Sequence, residues 1–486
     1  MRNKRLIFVW CALSCLSGAP SVFTGVLPLG QNEFEFVYDR LEHLGVTTLD
    51  NYDYQLGPYP FDNDNFDFGP FENLKHIEQD KLRFFADIGE DFRVKRDLRA
   101  RGYETFRAGI AGQPFEKLFV YGNFVLDEEL AEDETYTGKK WRGFAGDVER
   151  AFIHFHSGDF NLTAGRYASF WGPRNSLVLA GEVELDGFGY TYRWGRLAIT
   201  YRQARLDGLS PETDNVSAYE NRYFAGHRFD FHFGPKLRVG LFETVVFGGP
   251  GRQIDLYYLN PLIFFHGSQL NEGTNDNTLV GFDFDYKPRA GVKIYGQALF
   301  DDVQFDDKAQ SDQEPDEYGF LAGAYLVDFL VPVDIRLEYG RVVNRTFNQI
   351  FERNRYVFNG DLLGRALGND YDLSRLEISR WFSPDMRASC EIRYFRQGEG
   401  RVTDEWSEPW MEIEGDYSEP FPTGTVEETL RLAFGIKTFV KDMFFVDIYA
   451  GLDRVENFDH ISGDDRTRPF FNLIISAFVS STVNLK

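Results

Sequence analysis

The chain has 486 residues, a formal charge of −24 and 17% aromatic residues, with 49 Phe and 25 Tyr. The acidic balance excludes a nucleic-acid binder, which needs a basic face, and opposes contact with an anionic surface unless cations bridge the two. Mean hydropathy is −0.37, and past residue 21 no apolar run approaches the roughly 20 residues of a membrane helix, so helical spans are excluded.

Residues 1–21 read as a secretion signal. Arg2, Lys4 and Arg5 form a basic start, residues 6–16 are apolar but too short to span, and Ala19-Pro20-Ser21 offers small residues for cleavage. Ser14-Cys15, preceded by Ala12 and Leu13, is a poor lipoprotein cut. Cys11 and Cys15 leave with this segment. Cys390 is then alone, which excludes a disulfide-stapled scaffold.

Residues 22–80 are expected to form a small periplasmic helix and loop segment. Val37, Leu41 and Leu44 fall at helical spacing, and Gly45 ends the helix. Residues 54–71 are rich in Gly, Pro, Asp and Asn and read as loop. The segment is too small for its own core, so it is expected to pack at or in the mouth of the following domain.

From Leu82 to the end, residues alternate with period two. Leu82, Phe84, Ala86 and Ile88 oppose Arg83, Phe85 and Asp87. Phe229, Phe231 and Phe233 oppose Arg228, Asp230 and His232. Val292, Ile294, Gly296, Ala298 and Phe300 oppose Lys293, Tyr295, Gln297, Leu299 and Asp301. Phe444, Val446, Ile448, Ala450 and Leu452 form the most lipid-like face. Connections alternate between short ones, at 157–158, 195, 234–235, 287–290, 330–332 and 383–384, and long ones, at 127–147, 205–221, 248–277, 302–317, 344–373 and 398–426. A secreted sandwich has no reason to keep that alternation. An outer-membrane barrel does, with short periplasmic turns and long outer loops. Residues 81–486 are therefore expected to form an all-β antiparallel transmembrane barrel of about 18 strands, 16 being the other candidate count. Charges of both signs on the second face suit a wet lumen laced by ion pairs.

Two acidic stretches, 127–134 and 301–317, read as solvated loops, with a divalent cation such as calcium as the alternative. No other cofactor is implied. His154 and His156 share a strand face, but no third ligand lies near in sequence. There is no nucleophile elbow, P-loop or zinc-protease motif, so no enzyme is expected. Residues 165–177, GRYASFWGPRNSL, end a strand in an aromatic, Gly and Pro cluster. An interface girdle and a sugar-stacking platform both fit it.

The GRYASFWGP and SL stretch resembles a motif of the Wzi family of capsule-assembly outer-membrane proteins. So do Glu243 with Tyr257-Tyr258-Leu259-Asn260-Pro261, Asn277 with Gly281-Phe282-Asp283, and residues 297–302, in the same order along the chain. The resemblance covers residues 160–306 and, more loosely, their flanks. It implies an 18-stranded outer-membrane barrel with a periplasmic helical region, holding capsular polysaccharide at the cell surface; some members are anchoring lectins and not conduits. Two features depart from the pattern. The helical region is reduced to one clear helix, and the chain ends in Asn484-Leu485-Lys486 rather than an aromatic residue.

The expected function is thus non-catalytic attachment or assembly of capsular or exopolysaccharide, the alternative being an outer-membrane porin or diffusion channel. The candidate site residues are Arg166, Trp171, Asn260, Asn277, Asp283, Asp301 and Asp302 from the motifs. Trp406 and Trp410 join them from a long loop that also carries Tyr417. Expected partners are outer-membrane lipid and lipopolysaccharide, surface polysaccharide and the barrel-assembly machinery, with no nucleic acid. The expected location is the outer membrane of a Gram-negative bacterium.

Overall fold

The computed structural model describes Phe36, Asp39, Arg40, Glu42 and His43, and residues 80–94, 100–133, 136, 138–209, 220–303, 313–413, 417–440 and 443–485. The expected signal segment and the 54–71 loop lie outside the described residues.

Eighteen strands among the described residues close into an antiparallel barrel. They are β1 (Lys81–Val94), β2 (Ala100–Phe115), β3 (Leu118–Asp127), β4 (Phe144–Ser157), β5 (Phe160–Trp171) and β6 (Leu179–Trp194). There follow β7 (Leu197–Arg205), β8 (Glu220–Phe233), β9 (Leu237–Pro250), β10 (Asn277–Arg289), β11 (Val292–Asp302) and β12 (Glu317–Leu326). The last six are β13 (Asp334–Val342), β14 (Tyr371–Ser383), β15 (Met386–Gln397), β16 (Glu427–Val440), β17 (Phe444–Glu456) and β18 (Arg466–Asn484). β1 pairs with β2 on one side and with β18 on the other, from Lys81 opposite Asn484 to Val94 opposite Phe471. No edge is left, and the last strand is fully paired without a terminal aromatic. A closed barrel is the sheet that satisfies its backbone groups in lipid.

The alternation read from the sequence sets the two faces. Phe84, Phe124, Tyr192, Leu241, Phe282, Phe300, Leu432 and Leu452 are exposed outward, while Arg83, Asp87, Arg228, Asp283, Lys293, Glu338 and Asp447 are buried inward. Gly158, Gly195, Gly234 and Gly291 take positive φ in the tight turns of one rim. That short-turn rim is the periplasmic one in outer-membrane barrels.

Two inserts fill the lumen. From the short-turn rim, the helical residues Phe36, Asp39, Arg40, Glu42 and His43 reach inward. Phe36 packs against Trp381, Phe439 and Phe445 at 5.1, 5.4 and 6.0 Å. Glu42 binds Lys293 at 3.1 Å and also Arg336, and His43 Nδ1 lies 2.8 Å from Asp334. From the long-loop rim, residues 172–178 and 343–370 fold inward. The second of these carries a hairpin, Val357–Phe358 with Asp361–Leu362, turned at Asn359-Gly360 with φ of 51° and 88°.

The wet, ion-laced lumen expected from the sequence occupies only the lower part. Toward the long-loop rim, inward Phe224, Phe242, Leu279, Leu299, Leu321 and Val342 meet Leu177, Val178, Phe347, Tyr356 and Leu362 of the inserted loops in one apolar core. Burying each such side chain contributes roughly 1.5–3 kcal/mol, so these loops have reason to fold in rather than out. The loop after β9, residues 251–276, does the opposite and lies on the outside of the wall.

Candidate functional site

Five of the motif residues, Trp171, Gly172, Ser176, Leu177 and Gln297, build a latch. Trp171 ends β5 inside the apolar core, and its carbonyl accepts hydrogen bonds from Ser176 Oγ at 2.5 Å and Gln297 Nε2 at 3.2 Å. Gln297 Oε1 accepts from the Leu177 amide at 2.6 Å, and Asn175 Nδ2 donates to both Glu338 oxygens at 2.8 Å. Gly172 has φ +96°, and a Cβ there would sit 2.6 Å from Gln297 Nε2 and 3.0 Å from Asp283 Oδ2. Only glycine fits that approach. The sugar-stacking reading of Trp171 is therefore corrected: its ring is buried among core side chains.

Below the latch, Asp283 is fully buried between Arg228 at 2.5 Å and Arg238 at 2.9 Å, and Asp230 completes the group at 2.6 and 2.7 Å from the same two arginines. Asn277 is also buried, its Nδ2 holding the Asn354 carbonyl of the inserted loop at 3.1 Å. Arg166 stands on the outward face, gripping Asp186 at 2.7 Å and Asp147 at 3.4 Å. Asn260 is exposed on the external loop 251–276, where its side chain accepts from the Leu262 amide at 3.1 Å. The nine candidates thus do not converge.

Two of them do share the outer mouth. Trp410 is buried, with Trp406 edge-on at 6.4 Å and Tyr417 tilted at 6.1 Å. The Arg345 guanidinium stands 5.0 Å over the Trp410 ring and pairs with Glu419 at 2.7 Å; Tyr417 also donates to Glu419, at 2.6 Å. Burial works to raise the Glu419 carboxyl pKa, but the hydrogen bonds from Arg345 and Tyr417 hold it below its usual range. Sequence reasoning missed Arg345 and Glu419: they are 74 residues apart in different loops and carry no local signal.

Carboxylates gather beneath this cluster. Asp301 accepts from the Phe347 amide at 2.6 Å, Asp302 is exposed, and Glu317 is buried. Burial, then the charges of Asp302 and Glu408, push the Glu314 carboxyl up to about 7, against the opposing pull of Arg345. Among the described residues, no three His, Cys, Asp or Glu side chains are arranged to hold a metal ion. The other acidic stretch is partly neutralised: Glu129 pairs with Arg93 at 2.5 Å and Glu132 with Arg101 at 2.8 Å. His154 and His156 bond to Thr163 and Asn161, at 2.9 and 2.5 Å.

The family description "Capsule assembly protein Wzi" matches residues 189–469. The chain belongs to the Wzi family. Among solved structures, it is similar to Escherichia coli Wzi, an outer-membrane protein involved in group 1 capsule assembly and described as a carbohydrate-binding β-barrel. The two are 13% identical, with 81% of this chain and 84% of that one covered and a TM-score of 0.54. Pseudomonas aeruginosa OccD3 (8% identity, 83% and 91% covered, TM-score 0.46) and Acinetobacter baumannii OccAB1 (10% identity, 83% and 96% covered, TM-score 0.46) are further structural matches. No curated protein sequence matches. This Wzi-family chain is an outer-membrane β-barrel of the capsule-assembly class.

Proposed function

We propose that this protein holds capsular polysaccharide at the outer mouth and does not conduct solutes. The observation that carries the reading is the lumen filled from both rims, with the two inserts in contact through Asp39 and Arg174. A conduit needs a continuous polar path, and the apolar core interrupts it. The glycan contacts the Trp406 and Tyr417 rings, which pack on buried Trp410, by stacking and the Arg345, Asn344 and Glu419 groups by hydrogen bonds. An acidic glycan would need a divalent ion to offset the chain's negative charge. The chain is exported through its first 21 residues and inserted by the barrel-assembly machinery beside lipopolysaccharide.

Purified protein in planar bilayers should give no large, stable conductance steps. A deletion strain should lose cell-associated polysaccharide, and purified capsular polysaccharide should bind the barrel. Porin-sized steps from the intact protein would overturn the anchor reading.

A further inference from the structure

β8 and β9 pair without irregularity from Phe233 opposite Leu237 to Glu220 opposite Pro250, so period two assigns every side chain on them. Phe224, Arg228, Asp230, Phe242 and Val246 point inward, to the core and the buried ion group. Tyr223, Ala225, Val245 and Phe247 therefore point outward, on the same face as the exposed Phe231, Phe233 and Leu241. Yet all four are buried, because Tyr258 and Phe265 of the 251–276 loop pack over them. The loop is folded down the outside of the barrel.

Several of its polar groups are paired within the loop or with the wall. Glu243, on that outward face, accepts from the Phe265 and His266 amides at 2.7 Å each and so caps the helix Phe265–Glu272. Arg252 pairs with Asp255 at 2.6 Å and with Asp276, and Tyr258 donates to Asp276 at 2.7 Å. The exposed apolar side chains of the loop are Ile254 at 43%, Leu256 at 81%, Leu262 at 73% and Phe264 at 58%, beside exposed Gln253, Asn260, His266 and Asn271. Residues 254–265 contain one charged side chain, Asp255.

The height of the contact decides what covers this face. Glu243 is six residues above Leu237, which for a tilted strand is roughly 15 Å above the short-turn rim, within an apolar belt roughly 25 Å tall. Exposed Leu241 lies directly below, and on the neighbouring strands exposed Phe282 and Phe300 continue the belt. Phe300 pairs with Val280, which itself pairs with Glu243.

We propose that residues 251–276 form a flap embedded in the outer leaflet, with Leu256, Leu262 and Phe264 among the lipid. Such an element lies in the interface and spans nothing. It anchors the outer end of β8 to β10 laterally and keeps one long loop away from the mouth. The proposal is independent of the polysaccharide reading.

The test places a nitroxide at position 256, 262 or 264, one at a time, with Cys11, Cys15 and Cys390 replaced by serine. The full barrel is reconstituted in phosphatidylcholine vesicles, and collisions with oxygen and with a water-soluble nickel chelate are compared. Leu241 serves as the lipid reference and Ser407, exposed on an outer loop, as the aqueous one. The expected result is a ratio of oxygen to nickel collisions matching position 241 and several-fold above position 407. Nickel access like that at 407 would overturn the proposal. So would shielding from both reagents, which would mean that protein, such as a second copy, covers the face.

Discussion

Asp39 and Arg174 form an ion pair inside the barrel, one from the helix that enters at the short-turn rim and the other from the loop that enters at the opposite rim. Asp39 also faces Arg387 at 3.2 Å. The two inserts are thereby joined through charges that have little access to water, where losing one partner leaves the other uncompensated.

Asp39→Ala should therefore lower stability by about 3 kcal/mol. Unfolding by urea in lipid vesicles would measure it. Brief conductance events should also appear in planar bilayers as the lower insert loosens. A variant as silent as the parent protein would show that each insert holds alone.

The latch predicts a second effect. Gly172→Ala places a methyl group against Gln297 and Asp283 at a positive φ, costing more than about 1 kcal/mol. The barrel wall does not depend on that residue, so heat-resistant mobility on gels should persist while the loop 172–178 becomes open to protease. Unchanged protease resistance would mean that the loop is held by its other contacts.

On β17 the two faces can be compared directly. Ile448→Arg should cost roughly 2–4 kcal/mol at the lipid face and reduce assembly. Asp447→Asn, inward and 3.5 Å from Lys437, keeps the shape of the side chain and should assemble with a yield closer to the parent's. Equal yields of the two variants in outer-membrane fractions would show that the faces are misassigned.

The wall of this protein was readable because strand periodicity is local: residues such as Phe300 and Asp301 declare opposite faces by adjacency alone. The destinations of the loops were not. Arg222 donates to the carbonyls of Arg353 and Arg355, more than 130 residues away, and no spacing announces such a contact. The stretch around Trp171 fits a girdle and a platform alike, because aromatic and glycine clusters serve rims and cores; burial against Leu177 and Phe242 assigns Trp171 to the core. Of the residues that carry the Wzi resemblance, Trp171, Gly172, Ser176, Leu177 and Gln297 hold the inserted loop, whereas Arg166 and Asn260 lie outside the lumen.

Glu314 makes the mouth sensitive to pH. Its folded-state pKa is raised to about 7 by burial and the charges of Asp302 and Glu408. The folded form therefore binds more protons than the unfolded one between the ordinary carboxylate value and about 7, and stability falls as pH rises through that window. Glu314→Gln removes the charge. Its gain in melting temperature should be larger at pH 8 than at pH 5, and an equal gain at both would refute the assignment.

Trp406 and Trp410 should separate binding from stability. Trp410 is buried beneath Arg345 and between two aromatic rings, so Trp410→Ala opens a cavity and should cost about 3–5 kcal/mol. Trp406 is only half-buried. The accessible part of its ring is what the apolar face of a sugar would meet. Trp406→Ala should weaken polysaccharide binding about tenfold, from the loss of roughly 1.5 kcal/mol of stacking, with the melting temperature nearly unchanged. Titration of purified capsular polysaccharide against both variants and the parent would measure this. If Trp406→Ala binds as tightly as the parent, the glycan does not use this side of the mouth.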